Sequence, residues 1–361
     1  MPRILHTADW QLGLKLRRLQ GDRGQHARTV RFATLGRIAA LAHAEAVDVV
    51  VVAGDVFDDN QVSAWEVQRA RDALARFAPI PVLLTAGNHD AAEPGGVLAR
   101  LAEGAPDHVH VALDATPRSL GGVELHPCPL TRRHTVEDPT LDLPPRRAGD
   151  VAVRVCVAHG AAHGFGSDDT ANRIDVDAVV AKGFDYVALG DWHAPKQLGP
   201  RAWYAGTPEP TRFKDAPGRC VLIVDLPEAG AVPTVTPHEV AGLRWEEPEP
   251  VTLHGPDDVA RLDRWLGELP DRADTLVRLH LRGALPLEER ARLDTLLATH
   301  AGTLLSLQIR SDTVATVIDP DAVDAPGFLG AALRDLLDRD DPVANEAARL
   351  LVRLVAQAEG A

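Results

Sequence analysis

Five times in the first two-thirds of this chain, a short run of β-forming apolar residues stops at carboxylates, imidazoles or an amide. Residues 3–8 stop at Asp9, and 47–53 at Gly54-Asp55. Residues 80–85 lead to Gly87-Asn88-His89-Asp90, 151–158 to His159-Gly160, and 186–189 to Gly190-Asp191-Trp192-His193. Near-continuous apolar runs of this length read as strands buried on both faces. Helical patterns lie between the early runs. Residues 28–46 place Val30, Ala33, Ile38, Leu41 and Ala42 on one stripe, and 64–77 do the same with Val67, Ala70, Leu74 and Phe77. Strand alternating with helix predicts an α/β layered fold, which builds its site just past the strand ends.

Residues 201–240 carry shorter runs punctuated by Pro and Gly, predicted to be the second half of the sheet. A Glu-Glu-Pro-Glu-Pro stretch at 246–250 reads as a linker. Beyond it the pattern predicts a helix at 257–266, a strand at 275–281, a helix at 287–298 and a strand at 304–310, forming a small α+β unit. Two amphipathic helices, 328–338 and 342–357, flank an Asp-Asp-Pro break. The expected domains are 1–245, 246–320 and 321–361. With 45% apolar and 25% charged residues the composition is globular, not disordered. No window approaches eighteen apolar residues, so no membrane helix is expected. Nor does the N-terminus show the pattern of an export signal. Cys128, Cys156 and Cys220 are odd in number and widely spaced, which argues against a disulfide framework or a thiolate zinc cluster. A cytoplasmic protein is the expectation. The net charge of −14 opposes loose adhesion to nucleic acid but leaves room for a local basic groove beside metal-binding acids.

Asp9, Gln11, Asp55, Asp58, Asn88, His89, Asp90, His159, Asp191 and His193 together form the ligand set of a hydrolytic site for hard or borderline divalent ions. One Asp after a strand means little, because Asp is common in such loops and as a helix cap. Five such places in one fold point to a shared metal site. His6, inside the first run, reads as a core residue, and His163 as an exposed one. Asp58 could assist the site or serve as a helix N-terminal carboxylate. Lys15, Arg17, Arg18, Arg23, Arg28 and Arg31 could contact phosphates or form a solvated face.

In order and spacing, these motifs resemble those of the calcineurin-like metallophosphoesterases. More narrowly, Gly54-Asp55-Val56-Phe57-Asp58, Gly206-Thr207-Pro208-Glu209, the length and the appended C-terminal unit resemble the SbcD family of nuclease subunits. The resemblance implies a two-sheet αββα sandwich with a two-metal centre. Asp55 would bridge the ions; Asp9 and His193 would complete one site, and Asn88, His159 and Asp191 the other. His89 would protonate the leaving oxygen, with Asp90 orienting its ring. The implied activity is metal-dependent DNA cleavage in double-strand-break repair. The implied partners are DNA and an SbcC-like ATPase docked on the terminal helices, in a heterotetramer containing a homodimer of this chain. Two positions depart from the family pattern. Asp9-Trp10-Gln11 replaces Asp-x-His, and Asp191 replaces the first His of Gly-His-x-His. Both exchange imidazole nitrogen for oxygen, which favours two Mn2+ (or Mg2+) ions over zinc. A small-substrate phosphodiesterase or phosphatase, and a catalytically weak DNA-end-binding scaffold, remain alternatives.

Overall fold

The computed structural model describes residues 1–16, 18–19, 21–163, 171–317, 328–339, 341, 343–344, 347–348 and 350–351. The chain divides into two compact units, Met1–Arg244 and Trp245–Ala361. The first begins with the expected alternation: β1 (Arg3–Thr7), α1 (Gly21–Ala44), β2 (Val49–Ala53), α2 (Ala64–Leu74), β3 (Val82–Thr85), α3 (Val97–Ala102) and β4 (Val109–Ala112). Next come β5 (Arg118–Leu120), β6 (Val123–Cys128), β7 (Arg154–His159), the short pair β8 (Ala161–Ala162) and β9 (Arg173–Ile174), and α4 (Val176–Ala181). The unit closes with β10 (Tyr186–Gly190), β11 (Lys196–Gly199), β12 (Ala202–Tyr204), β13 (Cys220–Asp225) and β14 (Thr234–Glu239).

These strands form two six-stranded sheets, ordered β14-β13-β1-β2-β3-β4 and β11-β12-β10-β7-β6-β5. Residues 201–240 are therefore not the second half of one sheet, because β12 joins the second sheet while β13 and β14 extend the first. Alternation along β2 shows why two sheets are needed. Val49, Val51 and Ala53 face inward with Val155, Val157 and Ala188 of the other sheet. Val50 and Val52 face outward onto Leu35, Ile38, Val67 and Leu74 of α1 and α2. A strand apolar on both faces must be covered on both, and the outer face of the second sheet is covered by Val179 of α4. The layers are thus helix, sheet, sheet, helix. His6 is fully buried between the sheets, its Nδ1 2.9 Å from the Tyr186 hydroxyl.

The buried face of α1 differs from the expected stripe. Ala33 is exposed, and the covered face carries Ala27, Arg31, Thr34, Leu35, Ile38 and Ala42. Apolar periodicity misplaced it because Arg31 and Thr34 are polar residues that find buried partners.

The second unit holds β15 (Arg244–Glu246), β16 (Val251–Leu253), α5 (Pro256–Glu268), β17 (Thr275–Pro286), α6 (Leu287–Thr303), β18 (Ser306–Val317) and α7 (Phe328–Asp338). Its four strands make one sheet in which β17 pairs with the other three. Val277, Leu279 and Leu281 pack against Leu262 and Leu266 of α5 and Leu293 and Leu297 of α6. Most of the helix expected at 342–357 lies outside the described residues. Among the described residues, no helix is long and apolar enough to cross a membrane.

Candidate metal centre

β1, β2 and β3 run parallel in one sheet, and β7 and β10 run parallel in the other. Their C-terminal ends meet at one rim, where Asp9, Asp55 and His159 place ligand atoms within 4.8 Å of one another, all buried. The strand ends are tied together through the main chain. Asp9 N donates to Gly54 O at 3.1 Å, Gln11 N to Asp55 O at 3.0 Å, and Leu12 N to Val56 O at 2.9 Å. Asp9, Gln11, Asp55 and Asp191 all have positive φ. Backbone strain of about 1–3 kcal/mol per residue persists only where surrounding contacts enforce it, typically at functional sites.

Asp55 lies at the centre. Its Oδ2 accepts from Gln11 Nε2 at 2.8 Å, and its Oδ1 accepts from His89 N at 2.9 Å and lies 3.5 Å from His159 Nε2. The Asn88 amide is 3.1 Å from His159 Nε2 and 3.2 and 3.3 Å from the Asp55 oxygens. Gly87 is required beside it, since a Cβ there would stand 2.2 Å from Asp55 Oδ1. Gln11 thus directs its nitrogen, not its carbonyl oxygen, at the central carboxylate.

Both histidines are locked with Nε2 directed inward. His159 Nδ1 donates to Ala53 O at 2.8 Å, and its Nε2 is 3.9 Å from Asp191 Oδ1. His193 Nδ1 pairs with Asp215 Oδ2 at 2.9 Å, and its Nε2 is 3.9 Å from Asp9 Oδ1. Asp191 N donates to both Asp9 oxygens, at 3.3 and 3.2 Å, while its own side chain is 37% exposed. His89 sits at the open edge, its side chain 30% exposed with Nε2 3.9 Å from Asp55 Oδ2.

One expectation is corrected here, and two readings left open by the sequence are decided. The His89 ring is oriented not by Asp90 but by the main-chain carbonyl of Asp58, which accepts from Nδ1 at 2.7 Å. The buried Asp90 carboxylate instead accepts from Gly87 N at 2.8 Å and Phe57 N at 3.1 Å, bracing two site loops. Asp58 contributes that carbonyl, and it is not a helix cap, because Ser63 caps α2 in a capping box with Glu66. Arg31 is no surface phosphate contact. It is buried and donates to the carbonyls of Trp10, Glu209 and Pro210. Lys15, Arg18 and Arg23 are exposed, and Arg17 lies outside the described residues; His163 is exposed as expected.

Sequence reasoning missed Asp215 and the task of Glu209. Asp215 is buried and accepts from Thr211 Oγ1 at 2.6 Å and Arg212 Nε at 3.0 Å. Despite burial, the bonds from His193 and Thr211 hold its carboxyl at about 2. Glu209 accepts from Thr34 Oγ1, Gly242 N and Leu243 N, while Thr207 Oγ1 donates to Asp9 O at 2.9 Å. A Thr-x-Glu run after a glycine gave the only hint. Asp215 lies beyond that run and carried none.

The donor set fits divalent cations. Burial opposes a charge on His159, but Asp55, Asp9 and Asp191 outweigh it and leave the imidazole at about 9. Burial, then Asp55, raises the Asp90 carboxyl; burial also raises Asp9 above the usual range. Carboxylates crowded in a buried site carry more negative charge than it tolerates alone, and a bound cation relieves that excess.

A sandwich with candidate metal ligands gathered on one rim of its parallel strands defines a class, and the family model for calcineurin-like phosphoesterases matches residues 2–195. The chain belongs to that family and is a hydrolase acting on phosphoester bonds, in a family that uses divalent metals. It is 31% identical over 382 residues to the SbcD subunit of the SbcCD nuclease of Rhodobacter capsulatus, an alignment covering 88% of this chain and 90% of that one. Among solved structures, TT1561 of Thermus thermophilus aligns with a TM-score of 0.40 at 10% identity, over 66% of this chain and 99% of that one. That likeness is too loose to add to the assignment.

Proposed function

We propose that this protein is a metal-dependent nuclease that hydrolyses DNA phosphodiester bonds during double-strand-break repair. It would act in the cytoplasm as the nuclease subunit beside an SbcC-like ATPase, in a heterotetramer containing two copies of this chain. Residues 1–245 would form the nuclease domain, 246–320 a cap, and 321–361 the ATPase-docking tail. The observation that carries the reading is the convergence of Asp9, Asp55 and His159 within 4.8 Å, with His89 at the open edge. The name of the Rhodobacter relative supports the nuclease assignment and its place in a complex.

Asp55 would lie between two ions, with Asp9 and His193 completing one site and Asn88, His159 and Asp191 the other. Mn2+ or Mg2+ suits the oxygen-rich set. When bound, such a pair polarises a phosphodiester and lowers the pKa of a water near neutrality. The residues of the chain do the rest. Ala53 O and Asp215 fix the ring orientation of His159 and His193, leaving each Nε2 free to ligate. Gln11 and His89 N hold the central carboxylate. His89, anchored through Nδ1, presents Nε2 to hand a proton to the departing oxygen.

The test is hydrolysis of linear DNA and of bis-p-nitrophenyl phosphate with manganese, magnesium or zinc, with and without the ATPase. Manganese-dependent cleavage of both substrates, abolished in Asp55→Ala, is expected. Turnover of the small ester alone would make the protein a small-substrate phosphodiesterase. No turnover under any metal would leave a scaffold.

A further inference from the structure

The loop after β6 carries Arg132, Arg133 and His134 to the rim of the candidate centre. Leu130, just before it, is bonded in both directions to the segment around Asn88. Its N donates to Ala86 O at 3.3 Å, and its O accepts from Ala92 N at 2.8 Å. The far side of the loop is held by the buried Asn172. Its Oδ1 accepts from Thr135 N at 2.9 Å, its Nδ2 donates to Arg133 O at 3.0 Å, and its N donates to Thr135 O at 2.8 Å. Asn172 O in turn accepts from Ala161 N at 3.0 Å, two residues beyond His159. Gly160 makes this approach feasible, because a Cβ there would stand 2.0 Å from Asn172 O. The loop is therefore fastened between the segment bearing Asn88 and the strand end bearing His159.

Asn172 sits at φ 59, a conformation Asn tolerates better than most residues with a side chain. It spends its whole amide on the main chain of a loop whose three consecutive basic side chains are exposed. Among the described residues, none of those three side chains makes a hydrogen bond or ion pair. A rigid backbone carrying idle cationic groups suits the capture of an anion, since little ordering entropy remains to be lost on binding. In a chain of net charge −14 such a loop is a local exception, and charge of that sign beside a phosphodiester centre complements a polyanionic strand.

We propose that the 131–135 loop grips backbone phosphates of the nucleic-acid strand lying across the centre. Arg132 and Arg133 are the phosphate contacts, and Asn172 is the positioning residue. This rests on the nuclease reading above.

The experiment measures binding of a labelled single strand of about 20 nucleotides by anisotropy, from about 50 to about 200 mM salt. In parallel it follows kcat and KM on that strand and on bis-p-nitrophenyl phosphate, all with the full chain. Two contacts on a single strand, at about 0.7 each, predict that the Arg132→Ala, Arg133→Ala double variant flattens the log K against log salt slope by about 1.4. It should raise KM for DNA about tenfold and leave turnover of the small ester unchanged. Asn172→Gly keeps the arginines and the left-handed backbone but removes both side-chain bonds. It should weaken DNA binding by a smaller factor with the salt slope intact. An unchanged slope in the double variant overturns the proposal, as does parallel loss on both substrates. Wild-type protein that hydrolyses the small ester but neither binds nor cuts DNA overturns the nuclease reading and this proposal with it.

Discussion

Gly87→Ala is the smallest substitution that should disable the centre. An added Cβ would stand 2.2 Å from Asp55 Oδ1 and 2.5 Å from Asp55 N, whereas real Cβ atoms essentially never come within 3.0 Å. At least 0.8 Å must therefore be found. The backbone cannot readily yield it, because Gly54 O and Asp55 O are bonded to Asp9 N and Gln11 N. The carboxylate cannot yield freely either, being held by Gln11 Nε2 and His89 N. Displacing the carboxylate proposed to hold the metal ions by about 1 Å should lower kcat by a factor on the order of 10². Overpacking should cost about 1–3 kcal/mol of stability, which lowers Tm by about 2–4 °C per kcal/mol in a unit of this size. The assay is turnover of bis-p-nitrophenyl phosphate with manganese, alongside metal content and a thermal melt. Gly302→Ala in α6 is the matched control. Nothing lies within 4 Å of its Cβ, so the same change should leave turnover unaltered and stabilise the helix by up to about 1 kcal/mol. Turnover of Gly87→Ala within a few-fold of wild type, with an unshifted melt, would refute the close packing of Gly87 on Asp55.

If His89 is the proton donor proposed above, His89→Ala should keep its metal content yet lose a factor on the order of 10²–10⁴ in rate; loss of metal together with activity would make His89 structural. Asp215→Asn should weaken metal affinity by about 10–100-fold by freeing the His193 ring, measured by metal titration, and unaltered affinity would remove Asp215 from the site. Against the effect of burial, Asp55, Asp9 and Asp191 push the His159 imidazole up to about 9, so with His159 as a ligand metal uptake near neutral pH would expel its proton. Affinity should therefore rise with pH up to about 9, with proton release seen by calorimetry in two buffers; pH-independent uptake would contradict this. His6 is held neutral by burial, its pKa pushed down to about 3 from 6.5. The unfolded chain alone takes up that proton, so this contribution is full above pH 6.5 and drains as pH falls toward 3. Urea midpoints across that range should show the loss, and His6→Leu should reduce its slope.

Much of this molecule was determined by local pattern. The apolar runs ending at Asp9, Asp55, Asn88, His159 and Asp191 announce strands buried on both faces with polar groups at their ends. Those signals survive in sequence because burial fixes residue type and strand ends fix position. The α2 stripe of Val67, Ala70 and Leu74 was legible for the same reason. What the tertiary structure decided was partnership. Only the packed sheets assign β12 to one layer and β13 to the other, since pairing depends on which edges are free. The face of α1 was misread because its buried side carries Arg31 and Thr34, whose partners Glu209 and Pro210 are distant in sequence. The His89 ring leans on a carbonyl, a group every residue possesses and no side-chain pattern can reveal. Asp215 reaches His193 across 22 residues from outside any of the motifs. Sequence displays the groups that could bind a metal. The hydrogen bonds that aim them come from whichever residues folding brings alongside, and that choice belongs to the packed chain.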